Sequence, residues 1–374
     1  MPIWSGLILY NPMIYRNKLM IFGQVILCLF VFSCAKKEEG LFELMDEKTT
    51  GINFENKVEN KDDFNIFSYR NFYNGGGVAL GDINNDGLTD VFFTSNMGAN
   101  RLYLNKGNWK FEDVSKKAGI EEVDKWNTGV VMVDINNDGF LDIYVCNAGY
   151  HKFTKKQKNA LFINNGNPTN PQFTESAAKY GLDEGGYTTH AAFVDYDLDG
   201  DLDCYILNNS FIPVNTLNYA NNRDLRAEDW DVKDFLKGGG DKLMRNDNGF
   251  FKDVTKESGI YSSLIGFGLG VSICDANNDG YPDIYVSNDF YEKDYLYINQ
   301  KTGGGSSPRF KEEIEDRLKH ISLASMGADV GDINNDGFSE IMTTDMLPKD
   351  ENRLKTTSSF DNNYIFKLKK DRGF

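Results

Sequence analysis

Residues 129–147 read GVVMVDINNDGFLDIYVCN, which is an apolar run, an acidic nonapeptide and a second apolar run. Both runs are short and rich in β-branched side chains, so the pattern predicts two strands joined by a polar loop. The chain is built of repeats, because the nonapeptide occurs in five copies: DINNDGLTD at 82–90, DINNDGFLD at 134–142, DYDLDGDLD at 195–203, DANNDGYPD at 275–283 and DINNDGFSE at 332–340.

Each repeat also has a second half. The first four loops are followed by a short apolar stretch, which in the first repeat opens the sequence NRLYLNKGNWKFEDVSKKAGI at 100–120. About four short strands per repeat, with loops that start 52, 61, 80 and 57 residues apart, are typical of β-propeller blades. A parallel β-helix needs shorter repeats, and an EF-hand array needs a helix on each side of every loop.

The nonapeptides are candidate metal sites. Positions 1, 3, 5 and 9 carry side-chain oxygens, position 7 can add a backbone carbonyl, and Gly at position 6 permits a sharp turn. Such donors predict Ca²⁺, up to five ions, rather than a softer metal, and without a cation the carboxylates repel one another. The predicted ligands are Asp82, Asn84, Asp86, Leu88 and Asp90; Asp134, Asn136, Asp138, Phe140 and Asp142; Asp195, Asp197, Asp199, Asp201 and Asp203; Asp275, Asn277, Asp279, Tyr281 and Asp283; and Asp332, Asn334, Asp336, Phe338 and Glu340.

Two alternatives concern these loops. An EF-hand loop needs a bidentate Glu at position 12, but the five positions hold Phe93, Val145, Ile206, Val286 and Thr343. A metal-free turn rich in Asp and Asn is the alternative for any single copy. The third loop is the most acidic of the five, and the fifth, with Glu340 in place of Asp, is the weakest candidate.

The segments FYNGGGVALGDINNDGLTDVFFTSN (72–96), LYLNKG (102–107) and FEDVSKKAGI (111–120) resemble the FG-GAP/VCBS repeats of integrin-α-like propellers. They are more similar still to bacterial outer-surface proteins in which such repeats precede an ASPIC/UnbV domain, in the cartilage-acidic-protein-like family. The resemblance implies an all-β fold, a β-propeller of four-stranded blades with Ca²⁺ loops between the first two strands. Because the sequence ends soon after the fifth loop, we expect an incomplete seven-bladed ring, with a closed five-bladed ring as the alternative.

The N-terminal segment has the features of a bacterial lipoprotein signal. Arg16 and Lys18 precede an apolar run at 19–33 that is too short for a typical membrane span, and Cys34 follows a lipobox-like sequence. We therefore expect a signal peptide at 1–34, a tether at 35–40, propeller repeats at 41–349 and the truncated start of a further repeat at 350–374. Lipidated Cys34 would anchor the protein to the outer membrane, exposed at the surface; an uncleaved anchor is the alternative.

Composition narrows the choice of partners. Lys and Arg number 40 against 56 Asp and Glu, a net charge of −16, which excludes a nucleic-acid partner because no segment concentrates basic residues.

The cysteines of the repeats, Cys146, Cys204 and Cys274, lie in strand-like runs and are expected to be buried and unpaired. The segment 41–54 resembles the second half of a repeat.

The expected function is binding of a protein or glycan ligand at the cell surface. One process in which such binding would serve is polysaccharide uptake. No catalytic residues are assigned, since the histidines His151, His190 and His320 form no recognisable motif. A propeller lyase or hydrolase acting on polysaccharide is the alternative, and it needs a charged cluster in the central channel. An insertion at 208–240 offers Phe211, Tyr219 and Trp230 for ligand stacking, or serves as a packing lid with a short helix.

Overall fold

The computed structural model describes residues 40–149, 157–211, 223–289, 292–301, 309–318, 321–322 and 324–346. Residues 40–46 belong to a first unit and contain no helix or strand, whereas the second unit begins at Glu47 and contains the repeats. The predicted signal peptide, Cys34, most of the tether and the segment 350–374 lie outside the described residues. None of the described helices is long and apolar enough to cross a membrane.

The described part of the second unit contains four antiparallel sheets of four strands and one sheet of two. The strands of each sheet follow chain order. The first two sheets contain β1 (Val78–Gly81), β2 (Asp90–Phe93), β3 (Arg101–Asn105), β4 (Phe111–Asp113), β5 (Asn127–Val133), β6 (Asp142–Asn147), β7 (Ala160–Asn164) and β8 (Phe173–Glu175). The others contain β9 (Thr188–Val194), β10 (Asp203–Asn208), β11 (Lys242–Asn246), β12 (Phe251–Asp253), β13 (Gly268–Cys274), β14 (Asp283–Asn288), β15 (Tyr295–Asn299), β16 (Phe310–Glu312), β17 (Ser325–Gly331) and β18 (Glu340–Asp345).

Short helices mark the end of each repeat. They are α1 (Glu47–Thr50), α2 (Ser115–Ala118), α3 (Ala177–Tyr180), α4 (Thr255–Ser258) and α5 (Ile314–Arg317), with 3₁₀ turns at Arg70–Tyr73, Ala227–Asp229 and Asp234–Gly239. A glycine with positive φ follows α2, α3 and α4, as helix C-termini commonly require. Gly51 follows α1 in the same way with φ 82°. The N-terminal segment therefore contains the same short helix and glycine that end the other repeats.

Apolar side chains fill the space between successive sheets. Phe92 and Leu102 of the first sheet share a buried cluster with Ile143 and Phe162 of the second, and equivalent clusters join the second sheet to the third and the third to the fourth. The innermost strands also contact each other in order: β1 with β5, β5 with β9, β9 with β13 and β13 with β17. Sheets that stack face to face through a common inner row are blades of a β-propeller, so the predicted fold class is confirmed. The number of blades in the ring stays a prediction.

The inner strands approach so closely that one position requires glycine. A Cβ on Gly129 would lie 2.5 Å from the Thr189 carbonyl oxygen and 3.0 Å from the His190 Cα atom on the neighbouring strand. Gly129→Ala should therefore destabilise the fold by about 1–3 kcal/mol, the usual cost of overpacking. Gly331→Ala, in β17, is the matched control because its Cβ would meet no atom within 4 Å. Urea unfolding of both variants checks this, and equal stabilities would contradict the close packing.

Candidate metal-binding loops

All five nonapeptides connect the first and second strands of a sheet and share one hydrogen-bonded framework. In the first loop the Asp82 carboxylate accepts the N–H groups of Asp86 at 3.1 Å and Gly87 at 2.8 Å. The aspartates at position 1 of the other loops accept the same two bonds. Asn85 and Gly87 have positive φ, and this curls the chain around the carboxylates. Strands on both sides of each loop are incompatible with an EF-hand.

The acid at position 9 ties the loop to the third strand. Asp90 is fully buried, and its carboxylate accepts the N–H groups of Ile83 at 2.9 Å and Asn105 at 2.7 Å. The same pair of bonds, from the loop and from the end of the third strand, recurs at Asp142, Asp203 and Asp283. These four aspartates are thus both candidate ligands and structural acceptors.

The third-strand residues that complete this framework were missed by sequence reasoning. Each donates its backbone N–H to the position-9 carboxylate and its side-chain amide to the carbonyl at position 8. The signal was an asparagine that ends the sequences LYLN, LFIN, LMRN and LYIN in the first four repeats. These residues are Asn105, Asn164, Asn246 and Asn299.

The third loop brings its acidic side chains together. One oxygen each from Asp195, Asp197 and Asp203 lies within 4.8 Å of the other two, and no other group of three acidic, His or Cys side chains does so within the described residues. Asp197 Oδ1 and Asp201 Oδ1 are buried and accept no hydrogen bond from described residues. This loop therefore has both the converging oxygens and the unsatisfied acceptors that a bound cation needs.

The electrostatics of the third loop also favour a cation. Burial and neighbouring carboxylates raise the pKa of Asp197 and of Asp201. Burial raises the pKa of Asp203 to about 7, with nearby Asp197 and Asp199 adding to the shift against its two backbone hydrogen bonds. A divalent cation among these groups would stabilise their charged forms and reverse the shift.

The first, second and fourth loops carry fewer charges at the same positions. Position 3 is asparagine, and its amide nitrogen donates to the carboxylate at position 5, as Asn84 does to Asp86 at 3.1 Å. Burial raises the pKa of the position-9 carboxyl to about 6 in Asp90, Asp142 and Asp283. The weaker convergence of acidic oxygens in these loops follows from the amide at position 3.

The fifth loop differs from the others in the hydrogen bonds of its position-9 acid, Glu340. Glu340 accepts the N–H of Ile333 at 2.8 Å through Oε2 and the amide of Asn334 at 2.8 Å through Oε1. Within the described chain no third strand donates to it, and most of the loop is exposed. The position-1 framework is nevertheless kept, with Asp332 bound to two backbone N–H groups.

The described aromatic candidates of the insertion are used for packing. Phe211 stacks between Tyr69 and Tyr187, with ring centroids 5.8 and 5.2 Å away. Trp230 packs on the cluster around Leu264, and its indole N–H donates to the carbonyl of Leu225 at 3.1 Å. The described part of the insertion is a lid with 3₁₀ turns in place of the expected helix. Tyr219 lies outside the described residues.

A cavity of about 430 Å³ lies where the innermost strands begin, and its lining includes no Asp, Glu, Lys or Arg. We call it the axial cavity. Residues from all five sheets line it: Val78, Thr128, Thr189, His190, Leu269 and Met326. His190 Nδ1 accepts the N–H of Ala191 at 2.8 Å, and burial lowers the pKa of the ring, so the imidazole is neutral near pH 7 with its Nε2 as the protonated nitrogen. His151 and His320 lie outside the described residues.

Burial of the described cysteines agrees with the sequence prediction at two of the three positions. Cys146 and Cys204 are buried, Cys274 is half-buried, and none of the three forms a disulfide. Burial raises the pKa of the Cys274 thiol to about 11, so this group is protonated at neutral pH.

Comparison with known proteins identifies the repeat. A family model described as an FG-GAP-like repeat matches residues 82–145 and 275–343. Cartilage acidic protein 1 of Xenopus tropicalis is 39% identical over 74 residues, covering 20% of this chain and 11% of that protein. The human protein of the same name is 36% identical over 72 residues, 19% of this chain and 11% of that protein. Human integrin alpha-7 is 38% identical over 87 residues, 20% of this chain and 7% of that protein.

The matches span about a tenth of the length of these curated relatives. A lectin of Agrocybe aegerita, described as recognising non-reducing terminal N-acetylglucosamine, matches 74% of this chain and 67% of its own with 15% identity and a TM-score of 0.37. FG-GAP-like repeats are thus matched at residues 82–145 and 275–343, and about a fifth of the chain is similar in sequence to cartilage acidic protein 1 and to integrin alpha-7.

Proposed function

We propose that this protein is a calcium-stabilised propeller that binds a protein or glycan ligand. The observation that carries the calcium part is the third loop, where oxygens of Asp195, Asp197 and Asp203 converge beside two buried acceptors without donors. Carboxylate oxygens without nitrogen or sulfur ligands suit Ca²⁺ better than zinc or copper. The ion would hold the loop between the first two strands, and the position-9 bond would transmit that constraint to the third strand.

The ion itself is tested by calcium titration with isothermal calorimetry. The wild type should show at least one site that is lost in the variant Asp195→Ala, because position 1 supplies both a charge and the loop framework. The control is Asp62→Asn, which removes an exposed charge far from the loops in sequence. Calcium heats that are absent from the wild type, or unchanged in Asp195→Ala, would refute calcium binding at the third loop.

The ligand is proposed to bind in the axial cavity. Its uncharged walls combine hydroxyl, amide and imidazole groups with apolar side chains, a mixture that suits neutral hydrogen-bonding ligands such as sugar rings or peptide backbone. The relation to integrin alpha-7 supports a role in adhesion or protein binding. The lining includes no Asp or Glu, so this cavity lacks the pair of carboxyl groups that a typical glycoside hydrolase uses.

Filling the axial cavity should abolish ligand binding. Val78 is 58% exposed on β1 and lines the cavity, so Val78→Trp adds volume there without disturbing a buried side chain. Ligands of the wild type are first identified on a glycan array and a peptide array in the presence of calcium. Val78→Trp should bind these ligands at least tenfold more weakly than the wild type does. Val123→Trp is the matched control, because Val123 is 63% exposed and does not line the cavity. Binding retained in Val78→Trp would place the ligand elsewhere.

Surface display through a lipid on Cys34 completes the proposal. The lipobox-like sequence and the short apolar run before it support this reading. In cells grown with an alkyne-labelled fatty acid, the wild-type protein should carry the label and be found in the outer-membrane fraction. Protease added to intact cells should cleave the wild-type protein. The variant Cys34→Ala should lose the label. A labelled Cys34→Ala variant would contradict lipidation at this residue.

A further inference from the structure

Two of the third-strand asparagines also reach the nonapeptide of the preceding sheet. Asn164, at the end of β7, donates its side-chain amide to the carbonyl oxygen of Ile83 in the first loop at 3.0 Å. Asn299, at the end of β15, donates in the same way to the carbonyl oxygen of Tyr196 in the third loop at 2.8 Å. Ile83 and Tyr196 both stand at position 2 of their nonapeptides. The second and fourth sheets are therefore bonded to the loops of the sheets before them.

In the first two loops this bond completes a continuous path between two position-9 carboxylates. The Asp90 carboxylate of the first loop accepts the N–H of Ile83 at 2.9 Å, and the carbonyl of Ile83 accepts the Asn164 amide. The backbone N–H of Asn164 donates to the Asp142 carboxylate of the second loop at 2.8 Å. We call this path of hydrogen bonds the relay. It connects candidate ligands of two different loops.

The third and fourth loops have the same relay. Tyr196 donates its N–H to the Asp203 carboxylate of the third loop at 3.2 Å, and its carbonyl accepts the Asn299 amide. The backbone N–H of Asn299 donates to the Asp283 carboxylate of the fourth loop at 2.8 Å. The two relays therefore consist of the same three bonds at equivalent positions.

Each of these pairs of loops has a second contact. Asn85, at position 4 of the first loop, donates its amide to the Gly139 carbonyl of the second loop at 2.8 Å. Between the third and fourth loops the second contact is Arg309, whose guanidinium donates to the Tyr196 carbonyl at 3.0 Å. The guanidinium carbon lies 5.7 Å from the ring centroids of Tyr196 and of Tyr281, which belongs to the fourth loop.

The second and third loops lack both contacts within the described part of the chain. The Asn246 amide donates to its own loop at 3.2 Å, but no described bond joins it to Ile135, the position-2 residue of the second loop. Asn137, at position 4 of the second loop, likewise has no described bond to the third loop. The fourth and fifth loops share one long contact, 3.5 Å from the Asn278 amide to the Gly337 carbonyl. The first four loops thus form two linked pairs, the first with the second and the third with the fourth.

We propose that calcium binds cooperatively within each linked pair of loops, and independently between the first linked pair and the second. This inference rests on the proposed calcium sites. An ion in one loop holds the position-9 carboxylate, which the other acids of the loop repel in the absence of a cation. Through the relay, that carboxylate fixes the asparagine and the position-2 residue of the neighbouring loop. The second ion therefore meets a loop that is already ordered, and it binds more tightly.

Amide NMR spectroscopy of the full chain resolves the loops one by one. The N–H groups of Gly87 and Gly139 donate to the position-1 carboxylates of the first and second loops at 2.8 Å, so calcium should shift their resonances. The variant Asp134→Ala should lose the calcium shift at Gly139. It should also raise the calcium concentration that half-saturates the first loop, measured at Gly87, by about fivefold or more. The control Asp195→Ala, in the third loop, should change that concentration by less than about twofold, because the two linked pairs are independent.

A matched set of double variants tests the path. Asn85→Gly with Asn164→Ala removes both contacts between the first and second loops, and glycine accepts the positive φ of residue 85. Asn137→Gly with Asn246→Ala makes the same changes at the equivalent positions, where no contact between loops is lost. Asn164 and Asn246 are both 4% exposed and both donate to the position-8 carbonyl, so the local losses are matched. The effect of Asp134→Ala on the first loop should disappear in the first double variant alone.

Strand resonances in the same spectra verify that each variant is folded, and Asp134→Ala in the otherwise wild-type chain decides the question even where a double variant does not fold. An unchanged or lowered half-saturation of the first loop in Asp134→Ala would overturn the proposal. An effect that persists in the first double variant, or disappears in both, would also overturn it. Calcium shifts without coupling leave the proposed function intact. Glycine resonances that do not respond to calcium in any loop would refute the calcium sites together with their coupling.

Discussion

Removal of calcium is expected to lower the melting temperature of the protein by about 5 °C or more. An ion that binds only the folded state stabilises it by about 2.7 kcal/mol when its free concentration is one hundred times the Kd. For a domain of this size class, 1 kcal/mol corresponds to about 2–4 °C. The measurement is differential scanning calorimetry in millimolar calcium and in excess chelator, with chelator plus magnesium as a further condition.

The third loop should account for the largest share of this effect. It has Asp at all five odd positions, whereas the first, second and fourth loops have Asn at position 3 and no acid at position 7. Affinity for calcium rises with the number of charged ligands, so Asp197→Asn should raise the calcium concentration needed for half of the stabilisation by about tenfold. Asn136→Asp is the matched reverse variant in the second loop. It should lower the calcium concentration at which the second loop is half-occupied.

Two results would contradict this account of the loops. A melting temperature that stays within 1 °C in chelator would show that the nonapeptides hold their shape without a cation. An Asp197→Asn variant with unchanged calcium dependence would show that the converging oxygens of the third loop are not the dominant site. In the second case the bond of Asp203 to the third strand would be the main role of that loop.

The repeat pattern was sufficient to predict the sheets. The short apolar runs on both sides of each nonapeptide predicted two strands and the loop between them, and the structure has a strand on each side of every nonapeptide. The repeat is informative here because the second, third and fourth sheets each pack between two neighbouring sheets, so the same apolar positions recur in each unit. The short helix that ends each repeat was not predicted, although the recurring sequences KKAG, AKYG and KESG coincide with its last turn and the glycine that follows.

The finer features of the candidate site depend on contacts between distant residues. Asn105 lies 15 residues from Asp90, and its bond to that carboxylate requires a backbone N–H whose direction only the folded sheet defines. Likewise, the stacking of Phe211 between Tyr69 and Tyr187 joins segments more than 100 residues apart. An aromatic residue in a long insertion looked equally suited to a ligand, because composition alone does not show what covers it.

A buried carboxyl group, Asp241, lies at the end of the third sheet that is remote from the third nonapeptide. Asp241 is 7% exposed, accepts the N–H of Asn208 and the hydroxyl of Tyr205, both at 2.8 Å, and burial raises its pKa to about 7. The equivalent residue of the second sheet, Asn159, accepts the N–H of Asn147 and donates its amide to the hydroxyl of Tyr144 at 2.9 Å. Asparagine at 241 can therefore make the same contacts without a charge.

Asp241→Asn should stabilise the protein above pH 7 by about 1–4 kcal/mol, since each pKa unit corresponds to about 1.4 kcal/mol. The pKa of Asp241 in the folded state is above its value in the unfolded chain, so wild-type stability falls as pH rises from about 4 to about 7 and then levels off. The variant lacks this dependence, and the two proteins should converge near pH 4. Urea unfolding between pH 4 and 8.5 measures the difference, with Asp62→Asn as the exposed control. A destabilised variant at pH 8 would mean that the ionised carboxylate, through Tyr205 and Asn208, contributes more than its burial costs.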